Sequence, residues 1–377
     1  MSLFIDVHAL HTLPPSNINR DDTGAPKTAT FGGVPRQRVS SQAWKRAVRR
    51  DFGKHLPADQ LGVRTKRVVG QVVDVVKQIA PDWERDRAVT AVEAAFSAAG
   101  IKVEKKTVKK GEDQVQRDPE AGYLLFLSAR QIQRLAEAVV ANEGAKLSKR
   151  EAAALLDSEH SVDIAMFGRM VAEAPDYNVD AAVQVAHAIG VHASEQEFDY
   201  FTAVDDAAEA AEESGAGMIG TIQMMSSTLY RYATVDLQAL TENLGDIRAA
   251  TEATVAFVRS FVESMPTGKQ NTFANRTLPE VVLVSVREDR PVSYVNAFET
   301  PVVTDGERGR RYDAAARLAR EATEIDAAYD TRPVASWVVA VGDLAQSLSE
   351  VGEKVTLSRL LDGLRATLPV NDERERA

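Results

Sequence analysis

The chain has 377 residues, 44% of them apolar, and carries a formal net charge of −10. That length allows one large domain or two to three smaller ones, with a substantial hydrophobic core. The absence of cysteine excludes a disulfide framework, a thiolate metal site and a cysteine nucleophile.

In chain order, Leu3, Ile5, Val7 and Ala9 alternate with Asp6 and His8, which predicts a half-buried strand over 3–10. Residues 11–35 hold Pro14, Pro15, Gly24, Pro26, Gly32, Gly33 and Pro35, and read as one long functional loop. Arg36 to Val39 predicts a short strand, and Ser40 or Ser41 caps the helix after it. On that helix Gln42, Lys45 and Arg49 share one face, with Trp44, Ala47 and Val48 opposite. Residues 64–100 read as helical. Lys102 to Arg117 reads as an exposed charged hairpin, whose lysines either touch nucleic acid or are only solvated. Helices are predicted over 124–141, over 146–157 behind Ser148, and over 180–189.

Residues 194–226 place Phe198, Tyr200, Phe201 and Val204 before an acidic, Gly-containing turn and Met218 and Ile219 after it. They read either as a protruding arm or as an ordinary helix and loop. Leu229 to Val235 alternates like a strand, 247–264 is an amphipathic helix, and 265–275 is a loop containing Lys269, Gln270 and Phe273. A strand over 281–286, helices over 308–328, 337–350 and 357–368, and a frayed tail from Asn371 complete the chain. Strands scattered among helices favour α+β over a doubly wound parallel sheet.

The charge is unevenly spread. Residues 1–110 hold 20 Lys and Arg against 11 Asp and Glu, a net of +9, and the remainder has a net of −19. A basic segment running into a capped basic helix suits a phosphate backbone, although a solvated surface with chance asymmetry would look the same. No phosphate-binding or dinucleotide glycine fingerprint occurs, and none of the six histidines has metal-ligand spacing. Asp21-Asp22 could hold a metal or position a 2′-hydroxyl for cleavage, or could simply brace the loop through Asx turns. Asp205-Asp206 reads as a helix cap. No apolar run approaches the roughly 20 residues of a membrane span, and the start, Met-Ser-Leu-Phe-Ile-Asp, lacks signal-peptide character. A cytoplasmic protein is expected.

The runs Pro-Ser-Asn-Ile-Asn-Arg-Asp-Asp (15–22), Phe-Gly-Gly (31–33) and Arg-Val-Ser-Ser-Gln-Ala-Trp-Lys-Arg-Ala-Val-Arg (38–49) resemble the CasC-type backbone subunit of the type I-E CRISPR surveillance complex, Cascade. The resemblance continues through Val162-Asp163-Ile164-Ala165, Gly168-Arg169-Met170, Ala186-His187-Ala188-Ile189, Phe201 to Asp206, Tyr230-Arg231-Tyr232-Ala233, Lys269-Gln270 and Asn296-Ala297-Phe298-Glu299. It implies a ferredoxin-like (RRM-type) palm with inserted helical fingers and a protruding thumb hairpin. The palm would take 1–54, 179–193 and 227–377, the fingers 55–178 and the thumb 194–226. It further implies that copies polymerise along the spacer of a CRISPR RNA, among other Cascade subunits, and present bases for pairing with target DNA. No catalysis, cofactor, metal or membrane is implied.

By the same resemblance, Arg20, Lys27, Ser40, Gln42, Lys45, Arg49, Lys269 and Gln270 would contact RNA. Arg49 stands where the family has lysine, which keeps the charge. Met170, Phe201, Val204 and Ile219 would wedge beside displaced nucleotides. Lys105, Lys106, Lys109 and Lys110 are candidates for target DNA. The alternative is a type III-like subunit that cleaves target RNA through Asp21 or Asp22.

Overall fold

The strand Phe4–Ser16 lies inside the main sheet, paired antiparallel to Ala216–Asp236 on one edge and to Val281–Arg287 on the other. The structure is a computed structural model that describes residues 2–105, 107–110, 113–116, 118–171, 174–204, 216–304 and 308–370. The main sheet runs Glu353–Lys354, Ala335–Ala340, Val281–Arg287, Phe4–Ser16, Ala216–Asp236, Ala188–Gly190, Val34–Val39, Thr28–Phe31. Along that order the ladders are antiparallel except the parallel pair Ala335–Ala340 with Glu353–Lys354.

The chain divides into two units. One comprises Met1–Asp51, Gln184–Asp236 and Thr254–Pro369, and the other Phe52–Val183, Leu237–Ala253 and Val370–Ala377. The first holds the main sheet. Helix Arg310–Tyr329 buries Ala314, Ala315, Leu318 and Ala322 in a cluster that includes Leu10, Tyr230, Leu283 and Val338. Trp44 and Val39 join Leu13, Ile18, Ala188 and Leu229 in another. The second unit packs helices Val68–Ile79, Arg85–Ala98, Ala129–Ala141 and Lys149–Leu156 around Val72, Val76, Phe96 and Leu135.

Several expectations are corrected. The first strand does not stop near residue 10. It continues to Ser16, with a break in register between Leu13 and Ser16 where Pro14 and Pro15 supply no N–H to the ladder. Nor is 11–35 wholly loop: Thr28–Phe31 and Val34–Val39 form a hairpin. Its turn residues, Gly32 and Gly33, have φ of 59° and 78°, as a two-residue type I′ turn requires. Residues 180–189 are not helical. Val183–Val185 and Ala188–Gly190 are strands, and Ile189 pairs with both Tyr230 and Arg38. Over 337–350 the apolar run is the strand Ala335–Ala340, followed by a 3₁₀ turn at Gly342–Leu348. Leu125–Ser128 is a strand, and Ser128 then opens the next helix through a capping box with Gln131. The single helix expected over 64–100 is the strand Gly62–Thr65 and two helices separated at Pro81. The expected strand over 229–235 is the inner end of a 21-residue strand that begins at Ala216. The expected cap at Asp205-Asp206 and the tail from Asn371 lie outside the described residues.

Nor is the first strand half-buried, because both its faces are covered. Asp6 and His8 are fully buried. The Asp6 carboxylate accepts from the Val292 N–H at 2.9 Å and the Tyr232 hydroxyl at 2.9 Å, and it pairs with Arg287. His8 stacks against Tyr230, Tyr232 and Tyr294. Burial, before the charge of Arg287, drops the His8 pKa to about 3. Burial, before the charge of Arg231, does the same to His11.

Both imidazoles are therefore neutral when folded and titrate near 6.5 when unfolded. The unfolded chain takes up two more protons below that point, so stability falls as pH falls. From about pH 6.5 to 4.5 these two groups lose about 5 kcal/mol, and Asp6, whose carboxyl is pushed by burial up to about 6 when folded, takes up a proton there and returns about 2 kcal/mol, so the net loss is about 3 kcal/mol. Denaturant midpoints measured across that interval should drop steeply, and a constant midpoint contradicts two neutral buried imidazoles.

Candidate nucleic-acid interface

The helix Ser41–Asp51 begins where three segments converge. Ser40 is its N-cap: its hydroxyl accepts from the Ala43 N–H at 3.3 Å, and its own N–H donates to the Asn19 side-chain oxygen at 2.8 Å. The Ser41 N–H, which has no partner within the helix, donates to His187 Nδ1 at 3.0 Å. Asn19 also accepts the Lys27 N–H through its carbonyl, and Lys27 in turn accepts from the Arg38 N–H. Loop, hairpin and strand are thus fastened at the helix N-terminus, the end that favours anions.

Beneath the helix lies a buried cation. The Arg231 guanidinium sits 3.6 Å from the Trp44 ring centroid and 4.3 Å from that of Phe261. It donates to the Phe261 carbonyl and to His11 Nδ1, the latter at 3.1 Å. His11 then donates from Nε2 to the Thr277 carbonyl at 3.1 Å. Burial lowers the Arg231 pKa to about 9. The guanidinium thus holds both the Trp44 and Phe261 rings against the sheet strand that carries Arg231, which fixes the helix and the direction of its polar face.

That face carries exposed Gln42 and half-buried Lys45 and Arg49. Burial lowers the Lys45 pKa, so its ammonium is partly stripped of water. Arg20 is exposed on the neighbouring loop, Lys27 is half-buried and Ser40 is buried as the cap. Lys269, exposed with φ 49°, precedes the short turn Gln270–Phe273. A Cβ on Gly268 would stand 2.3 Å from the Ile18 carbonyl oxygen, so the Lys269 loop lies directly on the Asn17–Ile18 backbone. The eight residues named for RNA contact all fall in the first unit, on or beside this junction. Arg20, Lys27 and Lys269 have no carboxylate partner among the described residues.

The other named residues are more dispersed. Phe201 lies on the hairpin Glu197–Val204 and Ala216–Asp236, its ring over Gly220. Val204 and Ile219 occupy the same hairpin, and their side chains lie outside the described residues. The Asn17 amide donates to the Gln223 carbonyl at 3.0 Å, which joins the hairpin base to the Arg20 loop. Met170 is 84% exposed and belongs to the second unit. Lys105 bridges Glu93 at 3.9 Å, Lys109 and Lys110 lie on a strand whose side chains are not described, and Lys106 is outside the described residues.

Asp21 Oδ1 accepts from the Thr23 N–H, the Thr23 hydroxyl and the Ala25 N–H at 2.9, 2.7 and 3.0 Å. The Thr23 hydroxyl is the chief cause holding its carboxyl below the usual range. This is the loop-bracing Asx arrangement. Asp22 is exposed beside it.

Sequence reasoning missed Asn19, Arg38 and His187 at the helix start, and Phe198 and Tyr200, which are 65% and 63% exposed on the hairpin. Asn19, Arg38 and His187 all lie inside runs singled out by resemblance, without a role of their own. The hydrogen bonds of Asn19 with Ser40 and of His187 with Ser41 join residues 21 and 146 positions apart, so spacing carries no signal.

Among the described residues no helix is long and apolar enough to cross a membrane. No curated protein matches the chain. A solved chain described as "CRISPR RNA-guided surveillance complex, pre-nicking" is 36% identical, covering 96% of this chain and 99% of its own, with a TM-score of 0.82. A second, described as "CRISPR RNA-guided surveillance complex", is 32% identical over 96% and 99%, with a TM-score of 0.71. The family model described as CT1975-like protein matches residues 5–363, nearly the whole chain, and this chain belongs to that family.

Proposed function

We propose that this chain is the CRISPR RNA-binding backbone subunit of a type I-E Cascade complex in the cytoplasm. Copies polymerise along the guide among the other subunits and present its bases to target DNA without catalysing a reaction. The observation that carries this reading is the surface joining Arg20, Lys27, Lys45, Arg49 and Lys269. These cations gather around one capped helix in a chain whose net charge is −10. Such a surface grips phosphates whatever the bases, which a guide scaffold needs because base pairing reads the sequence. The apolar hairpin, with Phe201, Val204 and Ile219, would part neighbouring bases, Phe201 by stacking, and Met170 is proposed separately as a wedge beside displaced nucleotides. Lys105, Lys106, Lys109 and Lys110 are proposed for target DNA.

A ferredoxin-like palm is supported by four strands. In chain order Phe4–Ser16, Ala188–Gly190, Ala216–Asp236 and Val281–Arg287 are first to fourth, and in the sheet they stand fourth, first, third, second, all antiparallel. The Asx turn at Asp21 favours a bracing over a catalytic role.

Coexpression with a guide RNA and the partner subunits, followed by purification and nuclease footprinting, tests the reading. A stoichiometric RNA protected at regular intervals is expected, and an RNA-free monomer refutes it. Asp22→Ala should leave every activity of the assembly unchanged, whereas loss of target-RNA cleavage would install the type III-like alternative.

A further inference from the structure

Three positions from three segments meet beside Ser41: Lys27, Arg38 and His187. Arg38 donates its N–H to the Lys27 carbonyl, and its residue partner across the ladder is Ile189, two positions from His187. The Arg38 side chain reaches only the Thr28 carbonyl, at 3.2 Å, and neither it nor Lys27 has a carboxylate partner among the described residues. His187 is exposed. Its Nδ1 accepts the Ser41 N–H, so the neutral ring carries its proton on Nε2, and Nε2 has no partner among the described residues. Burial, then the charges of Arg38 and Lys27, lowers the His187 pKa and keeps the ring in that neutral form.

We infer that Lys27, Arg38 and His187 form one phosphate subsite, in which His187 Nε2–H is an uncharged donor to a phosphate oxygen of the RNA held by Lys27 and Arg38. The imidazole thus does two jobs through two nitrogens: Nδ1 fastens the helix start and Nε2 faces the ligand. This inference rests on the RNA-binding reading and adds two residues to it. A neutral donor leaves a distinct trace, because it contributes affinity without releasing counterions.

The test titrates the purified full-length chain onto a mixed-sequence single-stranded RNA at several salt concentrations. The His187→Asn side chain retains a short acceptor for the Ser41 N–H, and its amide donor stops short of the Nε2 position. It should melt like the parent and bind roughly five- to ten-fold more weakly, with an unchanged slope of log affinity against log salt. Arg38→Gln should weaken binding and also flatten that slope by about 0.7. If the parent binds RNA and His187→Asn binds equally well, with only His187→Ala impaired, the histidine is a helix cap alone and the inference is wrong. A flattened slope in His187→Asn equally overturns the uncharged-donor role. Failure of the parent itself to bind RNA would instead refute the functional reading.

Discussion

Gly32→Ala should lower the melting temperature by roughly five degrees, while Gly33→Ala next to it should cost only about one to three. The two glycines share a turn and both have positive φ, so each substitution bears a left-handed strain of about 1–2 kcal/mol. They differ in what a methyl group meets. At Gly33 there is open space, whereas at Gly32 a Cβ would lie 1.6 Å from the Glu299 carbonyl oxygen. The backbone at 298–299 cannot retreat cheaply, because the carbonyls of Phe298 and Glu299 both accept from Arg36 at 3.1 Å. Arg36 is fully buried and also bonds the carbonyls of Phe31 and Gly190. Forcing 299 outward withdraws half of the acceptors from a buried guanidinium, for a total of about 4 kcal/mol. At this chain length that corresponds to roughly five degrees. Thermal unfolding of the two variants side by side decides the matter, and equal losses would mean that the close approach to Glu299 is soft.

The same contact explains what was legible in the sequence and what was not. Short-range signals were readable: the Gly32-Gly33 turn, the Ser40 cap and the two faces of the helix that follows all come from neighbours within a few residues. The strands at Val183–Val185, Ala188–Gly190 and Ala335–Ala340 were read as helix. Each is short, and its state is set by partners far along the chain, such as Tyr230 for Ile189 and Val282 for Val339. Asp6 and His8 misled in another way. Polar residues alternating with apolar ones predict a wet face, but here the second face is closed by tyrosines and Arg287, which accept the polar groups in place of water. The candidate site was legible for its cations because they cluster along the chain, and illegible for Arg38 and His187, whose meeting depends on sheet order.

The double substitution Lys45→Glu, Arg49→Glu should reduce affinity for single-stranded RNA by roughly a hundred-fold at about 0.1 M salt and flatten the salt slope by about 1.4. Both residues lie on the face opposite Trp44 and Val48, so one phosphate path along the helix meets both. Half-burial matters for Lys45: it removes part of the water around the ammonium and lowers its pKa, and a phosphate oxygen would replace that water. Because each has further interactions within the protein, the melting temperature must be followed in parallel. Gln42→Ala, one turn earlier on the same face, provides the neutral comparison, with weaker binding and no change of slope. If the double variant keeps the parent slope while folding normally, the RNA does not run along this helix. The path would then have to follow Arg20 and Lys269 across the Asn17–Ile18 backbone, where Gly268 seats the Lys269 loop on the segment that leads to Arg20.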